Sequence, residues 1–217
     1  MRKHLTWIFD LDNTLHDATP HIIPHINRSM TAYLREHLAL GEVEASALRV
    51  HYWHTYGATL LGLMRHHGTD PQHFLRQTHQ FADLARMVVA EGGLRHALRR
   101  LPGRKVLFSN APQHYARAVL DLLRVADLFD AFYAVEHTRY QPKPSAGGFR
   151  LLLARERLVP GRSVLVEDSL VNLRMARRLG MKTVWVTRGP RSPGWLDAKV
   201  ASVLSLPRIA SSLGWSR

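Results

Sequence analysis

After residue 104 the chain alternates short apolar runs with helical stretches, and this alternation limits the fold more than any other feature of the sequence. The runs at 105–108, 131–135, 163–166 and 182–186 are rich in Val, Leu and aromatic residues. Helical spacing of apolar residues predicts helices at 112–123, 145–157 and 169–180 between them. A further segment at 200–204 reads as another strand before a terminal helix. Strands separated by helices run parallel, and a parallel sheet needs helices over both faces.

One more strand candidate, 6–9, lies at the other end of the chain, and the stretch between is helical throughout. Thr19 followed by Pro20 reads as an N-cap and first helical position, opening a helix to about residue 37. A second helix covers 43–66, with a bend expected near Tyr56-Gly57. A third starts at Asp70-Pro71 and runs to about 81, a fourth follows, and Gly92-Gly93 precedes a short helix at 94–101. The expected fold is α/β: a Rossmann-like parallel sheet core of residues 1–15 and 93–217, with an inserted all-helical cap domain of residues 16–92. The insertion leaves the core directly after Asp12-Asn13-Thr14, so a lid hinged beside that strand end is expected.

The strand ends carry the chemistry. Asp10 and Asp12 follow the first strand, Ser109 and Asn110 the second, and Glu167 and Asp168 a later one, while Lys143 precedes a helix. In a parallel sheet the carboxyl ends of all strands share one edge, where ligands bind. Two aspartates one residue apart can gather a divalent cation and leave a carboxylate for covalent chemistry. A carboxylate attacking a phosphate must overcome like-charge repulsion, which a metal ion and a fixed lysine offset. Mg²⁺, an oxygen-seeking cation, would take Asp10, Asp168 and a backbone carbonyl near Asp12. Ser109 and the backbone N–H groups at Asn110 would hold phosphate oxygens, and Lys143 would neutralise Asp10 together with the phosphate.

These residues resemble the motifs of the haloacid dehalogenase superfamily of phosphohydrolases. Asp10-Leu11-Asp12-Asn13-Thr14 is similar to its first motif, Ser109 to its second, Lys143-Pro144 to its third, and Glu167-Asp168-Ser169 with Asn172 to its fourth. The resemblance implies that Asp10 is a nucleophile forming an aspartyl-phosphate, and that Asp12 is the acid for the leaving group and then the base for water. It also implies that Asp168 binds Mg²⁺ and that Glu167 does so directly or through water, in a metal set that includes Asp10 and Asp12. Asp at the second position resembles the phosphatases rather than the dehalogenases.

Within the superfamily, Tyr52-Trp53-His54-Thr55-Tyr56-Gly57, Ser109-Asn110-Ala111 and Tyr140-Gln141-Pro142-Lys143-Pro144 resemble the pyrimidine 5′-nucleotidase branch. Glu167 departs from it, since many members of that branch carry Asp there. The implied activity is a phosphomonoesterase for a pyrimidine nucleoside 5′-monophosphate; the alternative is a phosphatase for phosphoglycolate or a sugar phosphate. Tyr52 and Tyr56, four residues apart on one helical face, read as helix packing or, if that face looks at the catalytic edge, as a platform for a pyrimidine ring, and His54 or His66 would reach a phosphate or base. His51, His54, His66 and His67 lack the spacing of a metal site and read as lid packing or surface.

The chain has no cysteine, which excludes disulfides, thiolate metal sites and cysteine nucleophiles. No apolar run approaches the roughly 18 residues that span a bilayer, and the N-terminal apolar run is too short for a signal peptide. A cytoplasmic protein with no membrane partner is expected. The formal net charge is +13, but the arginines are scattered over helices without a run of five basic residues. A generally Arg-rich composition accounts for this, so the expected partner is a small phosphorylated metabolite rather than a nucleic acid. A nucleic-acid-binding protein on the same scaffold would instead show steeply salt-dependent duplex binding.

Overall fold

The computed structural model describes residues 5–215. Strand β1 (Thr6–Phe9) is buried along its whole length, as befits a strand covered on both faces. Five helices follow: α1 (Ile22–Leu38), α2 (Glu42–Tyr56), α3 (Thr59–His67), α4 (Pro71–Thr78) and the single turn α5 (Leu84–Met87). Then come α6 (Leu94–Arg100), β2 (Arg104–Phe108), α7 (Gln113–Leu122), β3 (Ala131–Tyr133), α8 (Ala146–Arg155) and β4 (Ser163–Glu167). The chain closes with α9 (Leu170–Arg178), β5 (Lys182–Val186), β6 (Ala198–Val200) and α10 (Leu206–Ser212). There are two compact units, one made of the chain up to Asp17 and from Val89 onward, the other of Ala18–Val88. Among the described residues, no helix is long and apolar enough to cross a membrane.

In the first unit the strands form one sheet, ordered β3-β2-β1-β4-β5-β6, with every neighbouring pair parallel. The sequence order reverses at β1, between β2 and β4, and such a switch point is where open α/β sheets bind ligands. Phe9 stands opposite Leu107 on one side and Val166 on the other. Asp10, Ser109 and Glu167 therefore emerge at the same edge. Beneath them Ile8, Phe108, Phe149, Leu152, Leu165 and Leu173 belong to one core cluster. Phe108 and Phe149 meet edge to face at 5.1 Å, a favoured aromatic geometry. The end of α9 is set by Gly180 at φ 82°. The Met181 N–H reaches the Ala176 carbonyl at 3.0 Å across that left-handed residue, which closes the helix and turns the chain into β5.

The second unit is helical. The expected bend near Tyr56-Gly57 is a full break: Gly57 adopts φ 82°, its N–H caps the Trp53 carbonyl, and α3 starts anew at Thr59. The two helices approach closely where Gly62 meets Tyr52; a Cβ on Gly62 would lie 2.2 Å from Tyr52 Cγ.

Several expected boundaries shift for local reasons. The first helix begins at Ile22 with His21 as N-cap, not at Thr19-Pro20, because the Ile23 N–H bonds back to the Ala18 carbonyl and places Thr19 and Pro20 in the preceding turn. The third helix stops at Thr78, three residues short of the expected end. The last strand is Ala198–Val200, earlier than 200–204, because Ser202 accepts the Leu204 N–H and starts a tight helical turn.

Candidate active site

The backbone N–H of Asp10 bonds to the Val166 carbonyl at 3.0 Å, so its position is an extension of the β1–β4 ladder. Its Oδ1 accepts a hydrogen bond from Lys143 Nζ at 2.7 Å, and its Oδ2 accepts one from the Thr14 hydroxyl at 3.3 Å. Lys143 Nζ also donates to Glu167 Oε2 at 2.7 Å. Lys143 is 2% exposed and Glu167 1%, so one ammonium joins two carboxylates out of water.

Lys143 comes from the loop before α8. Asn110 holds that loop: its Nδ2 donates to the Lys143 carbonyl at 2.9 Å and its Oδ1 accepts the Lys143 N–H at 2.7 Å. The expected phosphate role of Asn110 therefore cannot rest on its side chain, whose amide is committed to the lysine backbone. Lys143 Nζ also lies 5.2 Å from the centre of the Phe108 ring, a cation–π distance.

Glu167 Oε1 accepts the Ser169 N–H at 3.2 Å, and the Asp168 carbonyl accepts from Trp185 Nε1 at 2.7 Å. Asp10, Glu167 and Asp168 each offer a carboxylate oxygen within 4.8 Å of the others. Burial first, and then the charge of Glu167, pushes the Asp10 carboxyl up to about 7. Burial and the neighbouring Asp168 push Glu167 up to about 7 as well. Asp168 is raised by burial and by Asp10. Burial alone would lower Lys143, but the charges of Asp10 and Glu167 outweigh it and raise the ammonium above its ordinary value. Three carboxylates with one cation among them form a hard all-oxygen donor set short of positive charge, and that set fits a small divalent cation.

Asp12 is built differently. Its Oδ1 accepts from the Tyr115 hydroxyl at 2.6 Å and lies 2.9 Å from His16 Nε2. Neither partner was expected from the sequence. His16 had a local signal, four residues from Asp12; Tyr115, on α7, had none, since it reads as one more apolar position of that helix. Ser109 Oγ accepts the Ala111 N–H at 3.0 Å, which leaves its hydroxyl proton to donate elsewhere.

The expected substrate residues lie in the helical unit. Tyr52 is 6% exposed, its hydroxyl meets His67 Nε2 at 2.8 Å and Gly62 packs on its ring. Its hydroxyl is thus engaged by His67 and its ring stacks on His66 and packs against Gly62, all inside the helical unit. Tyr56 and His66 are joined to each other, hydroxyl to Nε2, at 2.6 Å.

The family profile described as haloacid dehalogenase-like hydrolase matches residues 6–180. A relative from Pseudomonas putida, named phosphoglycolate phosphatase, is 25% identical over 91% of this chain and 74% of its own. Among solved structures, a HAD phosphatase from Thermococcus onnurineus superposes with a TM-score of 0.66 at 21% identity, covering 94% of this chain and 97% of that one. The L-2-haloacid dehalogenase from Xanthobacter autotrophicus gives a TM-score of 0.61 at 16% identity, covering 96% of this chain and 98% of that one. Both superpositions describe a shared fold.

Proposed function

This chain belongs to the haloacid dehalogenase-like hydrolases, and we propose that it hydrolyses small phosphomonoesters in a Mg²⁺-dependent reaction through an aspartyl-phosphate on Asp10. The observation that carries this reading is the buried arrangement of Asp10, Lys143 and Glu167 beside Asp168 at the switch point of the sheet. Mg²⁺ held by Asp10, Glu167, Asp168 and a backbone carbonyl near Asp12 would supply positive charge against the phosphate.

The chain's own residues do the rest. Lys143 favours the ionised form of Asp10 and fixes its position by its 2.7 Å bond, while Thr14 steadies the second oxygen. The Ser109 hydroxyl donates to a phosphate oxygen. An Asp10 oxygen attacks phosphorus, the bond to the leaving oxygen breaks, and Asp12 gives that oxygen its proton. Asp12 then takes a proton from water as the water oxygen attacks the aspartyl-phosphate, which releases phosphate and restores Asp10. An alkoxide needs such a proton and a halide does not, so a second carboxylate at this position favours ester over haloacid chemistry.

For the substrate, the nucleoside 5′-monophosphate reading rests on the converging strand ends together with the motifs at 52–57, 109–111 and 140–144. A compact phosphate such as phosphoglycolate is supported about as well, by the relative of that name. A phosphate-release panel including uridine monophosphate and phosphoglycolate, with Mg²⁺ and with chelator, tests both. Their kcat/KM ratio decides between substrates, and no release from any monophosphate by folded, Mg²⁺-supplied protein overturns the enzymatic reading.

A further inference from the structure

Building on the phosphomonoesterase reading, we infer that Tyr115 and His16 are positioning residues that pin Oδ1 of Asp12 and thereby assign proton exchange with the leaving group to Oδ2. Both partners converge on one atom, the tyrosine at 2.6 Å and the histidine at 2.9 Å. They reach it from separate parts of the chain, four and 103 residues away. Tyr115 and His16 are both buried, whereas the Asp12 side chain retains 28% of its exposure. The carboxyl group thus meets solvent while its supports do not.

In a neutral carboxyl group one oxygen carries the proton and the other accepts hydrogen bonds. Oδ1 already accepts, so the proton of Asp12 belongs on Oδ2, which among the described residues takes no protein hydrogen bond. As the ester bond breaks, that proton passes to the leaving oxygen. When water attacks the aspartyl-phosphate, a water proton returns to the same Oδ2.

Two features argue against packing as the whole explanation. The Tyr115 bond falls in the roughly 2.5–2.7 Å range of a hydroxyl donating to a carboxylate. His16 Nδ1 is buried with no hydrogen-bond partner among the described residues. An orphaned buried polar atom costs stability, and a side chain present only to fill space would not carry one. What accompanies that cost is the contact of Nε2 with Asp12.

The need for a placed acid grows with the basicity of the leaving group. The test measures kcat/KM, which reports phosphoryl transfer to Asp10, for monoesters running from p-nitrophenyl phosphate to a simple alkyl phosphate. The full chain is used with Mg²⁺, as wild type, Tyr115→Phe, His16→Leu and His16→Gln. Tyr115→Phe and His16→Leu are expected to lose about tenfold or more on the alkyl ester and no more than about threefold on the nitrophenyl ester. His16→Gln, which keeps an N–H for Asp12, is expected to recover most of the loss. A uniform loss across the series, or no loss, overturns the inference while leaving the phosphatase reading intact. A wild type inactive on every monoester overturns the phosphatase reading itself. Should Tyr115→Phe fail to fold, the contrast between His16→Leu and His16→Gln decides alone.

Discussion

Asn110 and Lys143 grip each other through two reciprocal hydrogen bonds, side-chain amide to backbone, at 2.9 and 2.7 Å. The loop carrying the lysine is thereby fastened to the end of β2. Asn110→Ala removes both bonds and is expected to cost about 1–2 kcal/mol of stability. The larger effect is expected on kcat, about tenfold or more, because the ammonium loses its fixed approach to Asp10. Denaturant titration and steady-state kinetics on the same preparation check both.

Lys143→Met leaves Asp10 and Glu167 buried without a counter-charge. Removing one partner of a buried ion pair costs about 3–5 kcal/mol, and turnover is expected to vanish with the phosphate's partner. The stability loss should shrink at low pH, where both carboxyls are neutral. Thermal melts of wild type and variant at two pH values show whether the cost depends on carboxylate charge.

Metal-free protein carries a pH signature from the same cluster. Asp10 and Glu167 rise from 3.8 and 4.5 to about 7 on folding, chiefly through burial. Between those values the folded state binds more protons than the unfolded, so this contribution to stability is present below about 4 and is lost as pH rises through about 7. Melts in chelator are expected to show it, with a smaller share in Asp10→Asn, which should also abolish phosphate release. Added Mg²⁺ is expected to stabilise more at pH 8 than at pH 5, since it needs ionised ligands.

In the helical unit, Gly62→Ala places a methyl 2.2 Å from Tyr52 Cγ. The overpacking is expected to cost about 1–3 kcal/mol, less whatever alanine returns in helix propensity. Combined with Tyr52→Ala the penalty should be sub-additive, with a coupling above about 0.5 kcal/mol in a double-mutant cycle.

The parallel sheet was legible because its strands are short, buried and separated by helices, and the carboxylates at Asp10, Asp12 and Asp168 because charge stands at the end of an apolar run. Thr19-Pro20 misled because a local cap signal lost to the turn made by Ala18 and Ile23. For Tyr52, helical spacing gives the shared face with Tyr56 but not what packs on it, which in the structure includes Gly62. Tyr115 was invisible for a related reason. A tyrosine in a helix reads as apolar, and only the sheet order brings α7 to Asp12, 103 residues away.

The register of β1 against β4, Phe9 beside Val166, has a consequence for how the protein fails. Neighbouring strands stand about 4.8 Å apart, and the separation of Asp10 from Glu167 inherits that spacing. The gauge between the two carboxylates is set at the ends of two neighbouring strands that are buried along their whole length. Such strands open only with the whole domain. The carboxylate centre should therefore persist at full quality in every molecule that is still folded, and disappear molecule by molecule rather than by gradual decay.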